Sequence, residues 1–150
     1  LEFRRVLFRS IFDTVYTFEP DPLNFYCLAL NCQFDNIIKV QAGLSNKKAT
    51  AALYRVPHNV GMNRTLEDET ASMPLITIDS FKFNYVDLIH LDIEGNEIAA
   101  LEGAIETIKQ HKPLLFLENG RREEIEKLLK PIKYKIIGES NLDIVWKCEG

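Results

Sequence analysis

The sequence predicts an α/β domain with a mostly parallel sheet and an antiparallel strand pair near its C-terminal end. Short apolar segments alternate with stretches of helical periodicity, which is the pattern of parallel strands joined by crossover helices. Several of the predicted strands end at a carboxylate, and the last two apolar segments are joined by a short polar turn. The length of 150 residues suits one domain.

The first part of this pattern is a strand, a helix and a second strand. Residues 15–19 are a β-branched and aromatic run that predicts a buried strand. Asp21 followed by Pro22 is typical of a helix N-cap with proline in the first turn. The helix is predicted to end near Cys32, before a second strand over 37–40, and this spacing indicates a parallel crossover.

The middle of the chain departs from this pattern. We predict an outlying strand over 49–56, a loop over 57–64 and a strand over 75–78. Two extended segments on either side of a loop rich in Gly and Asn indicate an antiparallel excursion from the parallel sheet, which we interpret as a candidate lid.

The parallel pattern returns after residue 85. Apolar residues at helical spacing follow Asn96 and predict a helix that this residue caps. The predicted elements are strands over 86–91, 114–117, 134–137 and 142–146, with a helix after Asn96 and another over 121–130. A Gly/Ser/Asn turn joins the last two strands and favours their antiparallel pairing.

Composition and charge argue against several classes of function. The chain has 46% apolar and 27% charged residues, as soluble globular domains do, and a net charge of −4 that does not favour nucleic acid as a partner. No apolar run approaches the ~20 residues of a membrane span. Cys27, Cys32 and Cys148 lack metal-ligand spacing, so we expect no metal site, no disulfide framework and a reducing, cytoplasmic location. The sequence does not specify an oligomeric state.

The first ten residues, LEFRRVLFRS, differ from the rest of the chain. They have no clear amphipathic period and no cap, and they match the translation of a common sequencing-adapter oligonucleotide. We therefore expect residues 1–10 to be a non-native segment and residues 11–150 to be a partial domain. The alternative interpretation is a native helix end with an arginine-rich face.

Carboxylates stand at the ends of three predicted strands, at Glu19, Asp92 and Glu118. Open α/β sheets bind ligands beyond the carboxyl ends of their strands. A carboxylate there can accept hydrogen bonds from both hydroxyls of a ribose. We predict this role for Glu19, with capping of the next helix as the alternative, whereas capping is the main role expected of Asp21.

Four segments taken together resemble the FkbM family of S-adenosylmethionine-dependent methyltransferases. They are VYTFEPDPLNF, VQAGLSN, TIDSF and VDLIHLDIEGNEIAALEGA, and they cover about residues 13–120 in the family's order. The resemblance implies a Rossmann-like class I methyltransferase sheet and S-adenosylmethionine as the cofactor. The family's first strand and its Gly-x-Gly turn have no counterpart here, so we expect an N-terminally truncated methyltransferase domain.

The resemblance also implies a cofactor site. Glu19 would correspond to the ribose acid of such enzymes. Gly43, Leu44 and Ser45 would lie near the adenine, with backbone groups and the Leu44 side chain making the contact. Asp92 would face the sulfonium and the amino-acid end of the cofactor.

The same resemblance implies an acceptor pocket. Glu94 would face this pocket, although electrostatics at the helix terminus is an equal alternative for it. His58, Asn59, Gly61 and Asn63 would bind substrate from the loop above it. The activity implied is O-methyl transfer to a hydroxyl of a sugar, glycolipid or secondary metabolite, so the expected partner is a small-molecule or glycan acceptor.

Methyl transfer needs an aligned acceptor and a group that takes or orients its proton. Asp92, Glu94 and Glu118 are the candidate catalytic residues, and His58 is less favoured. His90 lies inside an apolar strand, so we interpret it as a core or rear-face residue.

Two other interpretations remain open. A nicotinamide-dependent oxidoreductase also places an acid after its second strand, but it requires a G-x-G-x-x-G turn about 20 residues earlier. A non-enzymatic interpretation is that the chain is an inactive fragment that binds nothing well, because a missing central strand would leave neighbouring strands unpaired.

Overall fold

The computed structural model describes residues 8–54, 64–118, 120–140 and 142–150. The chain divides into two compact units. The first, here called the N-terminal unit, holds the described residues up to 43 together with 49–53 and 65–75. The second, the C-terminal unit, holds 44–48 and nearly all described residues from 76 onwards.

The N-terminal unit contains the predicted strand, helix and strand. They are β1 (Val15–Phe18), α1 (Pro22–Asn31) and β2 (Ile37–Val40). β1 and β2 pair in parallel, with the first residues of the two strands opposite each other. The parallel crossover is therefore confirmed, and so is the cap, because the Asp21 carboxylate accepts a hydrogen bond from the Leu23 main-chain N–H at 2.8 Å.

A small apolar core holds this crossover together. Leu28 and Cys32 on one side of α1 are buried with Ile37 of β2. Val15, Phe25 and Phe34 pack against these three residues. The Cys32 thiol is thus a small core group, as expected, and all three cysteines, each a described residue, are free.

A second, four-stranded sheet contains the antiparallel excursion. Its strands are β3 (Gly43–Leu44), β4 (Ala49–Tyr54), β5 (Arg64–Glu67) and β6 (Met73–Ile76), in the order β3-β6-β4-β5. β4 pairs with β6 in antiparallel register, which confirms the excursion. The predicted loop over 57–64 lies outside the described residues except for its last residue, which begins β5.

The C-terminal unit contains a four-stranded sheet and three α-helices. The strands are β7 (Leu88–Leu91), β8 (Leu114–Glu118), β9 (Tyr134–Glu139) and β10 (Asp143–Cys148), in the order β7-β8-β10-β9. The helices are α2 (Glu97–Glu102), α3 (Ile105–His111) and α4 (Arg122–Leu129). β7 and β8 are parallel, whereas β10 is antiparallel to both of its neighbours.

The helix predicted after Asn96 is interrupted and forms two shorter helices, α2 and α3. Gly103 lies at the break, and its main chain passes so close to the Ser45 carbonyl that a side chain there would collide with it. Asp79 supplies acceptors for the second helix, since its carboxylate accepts from Thr107 N at 2.8 Å and Glu106 N at 3.2 Å. Sequence periodicity continues across the break because both helices bury the same apolar face.

The core of the C-terminal unit lies against one face of this sheet. Leu115 and Leu117 are fully buried on β8, and Ile144 and Trp146 are buried on β10. Other fully buried apolar side chains of this unit include Leu91, Ala100, Leu101, Ala104, Ile108, Pro113, Ile125 and Leu129. Alternate residues of a strand share a face, and the register pairs Ile144 with Leu117 and Trp146 with Leu115, so these four buried side chains lie on the same face of the sheet.

The sheet organisation differs from the mostly parallel sheet that the sequence predicts. The described strands form three sheets, in which β1–β2 and β7–β8 are parallel and β4–β6, β8–β10 and β9–β10 are antiparallel. The predicted antiparallel pair at the C-terminal end is confirmed as β9–β10. A tight connection enforces it, because a parallel pair needs a crossover of a dozen residues or more. Among the described residues, no helix is long and apolar enough to cross a membrane.

Candidate active site at the ends of β7, β8 and β10

Three carboxylates lie on adjacent strands at one edge of the C-terminal sheet. Asp92 directly follows β7, and Glu118 is the last residue of β8. The parallel register places Leu91 opposite Leu117, so the two acids follow at equivalent positions. Asp143 begins β10 and lies opposite Glu118 in the antiparallel register. Sequence reasoning missed Asp143, because its position depends on β10 pairing with β8.

Glu118 is surrounded by other acidic side chains at this edge. Partial burial raises the pKa of the Glu118 carboxyl above its usual range, and the negative charges of Asp92, Glu94, Glu97 and Asp143 raise it further. A glutamate with a raised pKa is a better proton acceptor near neutral pH than an ordinary glutamate. The environment of Glu118 is therefore compatible with a role in acid–base chemistry.

The turn after β7 has an unusual backbone. Asn96 N–H donates to the Ile93 carbonyl at 3.4 Å, and the two residues between them have positive φ angles, 55° at Glu94 and 96° at Gly95. Type I′ turns require positive φ at both central positions. Glycine adopts this conformation readily, but a glutamate does so at a cost, and such strain is often found at functional sites.

Two side chains form hydrogen bonds with the main chain of this turn. Glu97, the first residue of α2, accepts hydrogen bonds through one carboxylate oxygen from Ile93 N at 3.0 Å and Gly95 N at 3.2 Å. Arg121 Nη1 donates to the Gly95 carbonyl at 3.3 Å. The sequence analysis did not identify either residue. An acid in the first turn of a helix is usually explained by the helix dipole. The sequence pattern therefore gave no sign that Glu97 accepts hydrogen bonds from residues that precede the helix.

Glu19 is fixed at the carboxyl end of β1 in the N-terminal unit. Its main-chain N–H continues the strand pairing by donating to the Val40 carbonyl at 3.1 Å. One oxygen of its carboxylate accepts from Asp21 N at 3.0 Å. This contact supports part of the capping interpretation, and it also restricts the direction of the carboxylate. The ribose role of Glu19 stays a prediction.

The three residues predicted to lie near the adenine are Gly43, Leu44 and Ser45, and all are buried. Gly43 and Leu44 form the short strand β3, which is absent from the strands predicted above. Ser45 N–H donates to the Ile76 carbonyl at 2.9 Å. This main-chain donor is therefore engaged within the fold, and the Leu44 side chain is only 9% exposed.

The three candidate catalytic residues belong to one unit of the fold, and the other predicted site residues fall in either unit or outside the described residues. Asp92, Glu94 and Glu118 lie in the C-terminal unit and interact electrostatically. Glu19 and Gly43 belong to the N-terminal unit. The predicted substrate-binding residues His58, Asn59, Gly61 and Asn63 lie outside the described residues.

The described histidines have structural contacts. The His90 ring packs against the Phe116 ring with centroids 5.2 Å apart, in agreement with its interpretation as a packed residue. His111 Nε2 is 3.0 Å from the Phe83 carbonyl, at the last turn of α3. Within the described ranges, no group of His, Cys, Asp and Glu side chains has an arrangement that could hold a metal ion.

The fold is similar to that of a solved methyltransferase. The crystal structure of methyltransferase FkbM from Methylobacillus flagellatus KT matches 90% of this chain with a TM-score of 0.57 and 22% sequence identity. The match covers 36% of that structure's chain, so the present chain spans about a third of its length. At this identity the similarity defines the class of fold and nothing more specific.

The family follows from the sequence match. The model of the methyltransferase FkbM domain matches residues 9–139, which is most of the chain. The chain therefore belongs to the FkbM methyltransferase family. No curated protein matches it at a significant level.

Proposed function

We propose that this chain is part of an S-adenosylmethionine-dependent methyltransferase that transfers a methyl group to a hydroxyl of a sugar, glycolipid or secondary metabolite. One observation carries the proposal. Asp92 and Glu118 lie at equivalent positions at the carboxyl ends of β7 and β8, where the pKa of the Glu118 carboxyl is raised. Membership of the FkbM family supports the reaction class.

The chemistry of the described residues fits this cofactor. S-adenosylmethionine supplies an activated methyl group on a sulfonium, and it carries a ribose with two hydroxyls. A carboxylate at the position of Glu19 can accept hydrogen bonds from both hydroxyls. Asp92 provides negative charge suited to a cationic sulfonium or to the amino group. Gly43, Leu44 and Ser45 are proposed as the adenine contacts.

Glu118 is the proposed proton acceptor. The acceptor oxygen would take the methyl group as the bond between that methyl and the sulfonium sulfur breaks, which would leave the sulfur as a neutral thioether, and a nearby carboxylate of raised pKa would take the proton of the hydroxyl. Asp92 and Glu94 are proposed to orient the hydroxyl and to add the negative potential that favours proton uptake. Alignment of the acceptor is the larger contribution that the protein makes, since the transferred group is already activated.

Three further parts of the proposal concern the complete protein. His58, Asn59, Gly61 and Asn63 are proposed to bind the acceptor. An additional N-terminal strand and a glycine-rich turn are proposed to complete a Rossmann-like sheet and to contact the methionine part of the cofactor. We propose a cytoplasmic location, where the three free cysteines would stay reduced.

Calorimetric titration with S-adenosylmethionine tests the proposal. We expect the complete gene product to bind and the 150-residue chain to bind weakly or not at all, because the glycine-rich turn would be missing. In the complete protein, Glu19→Ala should weaken binding by about 1–3 kcal/mol, as expected for the loss of a charged hydrogen bond.

Asp21→Ala is the matched control for this titration. It removes the neighbouring carboxylate, which caps α1, so we expect a loss of stability of about 1 kcal/mol with little change in affinity. Equal affinity of the Glu19→Ala variant and wild type would exclude the ribose role. A complete protein that binds NADH but not S-adenosylmethionine would contradict the proposed function and favour an oxidoreductase.

A further inference from the structure

Glu97 is a buried acid that forms hydrogen bonds with preceding residues, in the turn between β7 and α2. Its side chain is 3% exposed. A single carboxylate oxygen accepts from the N–H groups of Ile93 and Gly95, at 3.0 Å and 3.2 Å. These residues stand on either side of Glu94 and one of them directly follows Asp92, so Glu97 fixes the main chain that carries both candidate site residues.

The backbone of this turn needs such support. Glu94 has a φ angle of 55°, and left-handed geometry is costly for a residue with a side chain. Arg121 supports the turn from the other side, but its contact with the Gly95 carbonyl is longer, at 3.3 Å, and its guanidinium is also paired with Glu124. A buried carboxylate that accepts two N–H groups is the stronger restraint.

We propose that Glu97 is a positioning residue, which sets the directions of the Asp92 and Glu94 side chains by binding the main-chain N–H groups of Ile93 and Gly95. The inference rests on the proposed function, because it assumes that these two acids form the active site. A different role for Glu97 would be purely electrostatic, since its charge also contributes to the negative potential at Glu118. The positioning role requires reach, meaning a side chain long enough for its oxygen to accept from both N–H groups. The electrostatic role requires the negative charge.

Two substitutions separate reach from charge. Glu97→Gln removes the charge but keeps an acceptor oxygen at the same distance from the main chain. Glu97→Asp keeps the charge but shortens the side chain by one methylene, so that its oxygens no longer reach both N–H groups. Both variants are polar and close in size to glutamate, which favours folding of the chain in each case.

Hydrogen exchange of individual amides, measured by NMR on the 150-residue chain without cofactor, gives the primary test. We expect the Gly95 amide to exchange about tenfold faster or more in Glu97→Asp and at nearly the wild-type rate in Glu97→Gln. The Leu115 and Leu117 amides of β8 report whether the fold is intact. Equivalent substitutions at Glu126, an exposed acid on α4, are the matched controls.

Every other pattern overturns the proposal. Wild-type exchange at Gly95 in the Asp variant would show that reach is unimportant, and loss of protection in the Gln variant would show that an acceptor oxygen is insufficient. The titration with S-adenosylmethionine is separate from this test. Failure of the complete wild-type protein to bind would contradict the proposed function but would leave the exchange result at Glu97 in place.

If both proposals hold, the two substitutions at Glu97 should affect cofactor affinity or turnover of the complete protein in the same order as they affect the exchange of the Gly95 amide. The Asp variant should have about tenfold lower affinity or turnover, and the Gln variant should restore most of it. Rescue by the uncharged variant is the result that a purely electrostatic role would not give.

Discussion

At the scale of single residues, environment distinguishes acids that the sequence alone presents as alike. Asp21 and Glu19 are two residues apart, yet the first caps α1 and the second is anchored through the Asp21 amide. Asp92 and Glu118 both follow apolar strands, and partial burial of Glu118, with Asp92 among the nearby negative charges, raises the pKa of the Glu118 carboxyl. Burial and strand order cause these differences, and both depend on the tertiary fold.

The raised pKa of Glu118 predicts a pH dependence of stability. A raised carboxyl pKa means that the folded state binds the proton more tightly than the unfolded state. The resulting stabilisation is complete below the unfolded pKa and is lost as the pH rises through the folded pKa. Replacement by glutamine removes this dependence, so Glu118→Gln should gain stability relative to wild type as the pH increases from about 4 to about 8.

Urea unfolding followed by the fluorescence of Trp146, the single tryptophan of the sequence, would measure this difference. Trp146 is 1% exposed, so unfolding changes its surroundings fully. Glu126→Gln serves as a control for the loss of one exposed negative charge. A constant difference in unfolding free energy between Glu118→Gln and wild type across the pH range would contradict the raised pKa.

At the scale of elements, close backbone packing determines where the helical segment after β7 is divided. The sequence pattern of apolar residues runs without interruption from 98 to 108, but α2 ends at Glu102 and α3 begins at Ile105. A methyl group added at Gly103 would lie 2.0 Å from the Ser45 carbonyl oxygen and 3.1 Å from the Asn46 Cα. These atoms belong to the main chain and cannot move aside as a flexible side chain could.

Gly103→Ala should therefore destabilise the chain by about 1–3 kcal/mol, the usual cost of an overpacked site. The same substitution at Gly138 on β9 is the control, because its added methyl group would meet no atom within 4 Å. Urea midpoints of the two variants give the comparison. Equal midpoints would show that the segment around Ser45 adapts to the added methyl group, and would leave the break between α2 and α3 without this explanation.

Local patterns predicted most elements of the fold, and the pairing of strands was the least predictable part. The strand–helix–strand unit, the Asp21 cap and the β9–β10 pair are each encoded within one continuous segment of the chain, and all are confirmed. The insertion of β10 between β8 and β9 is a non-local pairing. The sequence therefore predicted Asp92 and Glu118 as site residues but missed Asp143, Glu97 and Arg121.

At the scale of the whole molecule, the chain corresponds to part of the solved methyltransferase that it resembles, about a third of that chain's length. The family match begins at residue 9, inside the segment that we predict to be non-native. The Arg9 guanidinium lies 3.7 Å from the centroid of the Phe34 ring, and Asn36 Nδ2 donates to the carbonyls of Arg9 and Phe12. Arg9 thus contacts Phe34 and Asn36, which belong to the same N-terminal unit.

These contacts do not distinguish a native segment from a foreign one. A cation–π contact contributes about 0.5–1 kcal/mol for any arginine that meets an aromatic ring, and a main-chain carbonyl accepts hydrogen bonds whatever its side chain. The prediction for residues 1–10 therefore depends on the coding sequence.

Sequencing across the 5′ region of the source gene should give different residues in place of LEFRRVLFRS, preceded by an apolar strand and a glycine-rich turn. A gene that encodes these ten residues as they stand would overturn the prediction, and the contacts of Arg9 would then be native ones.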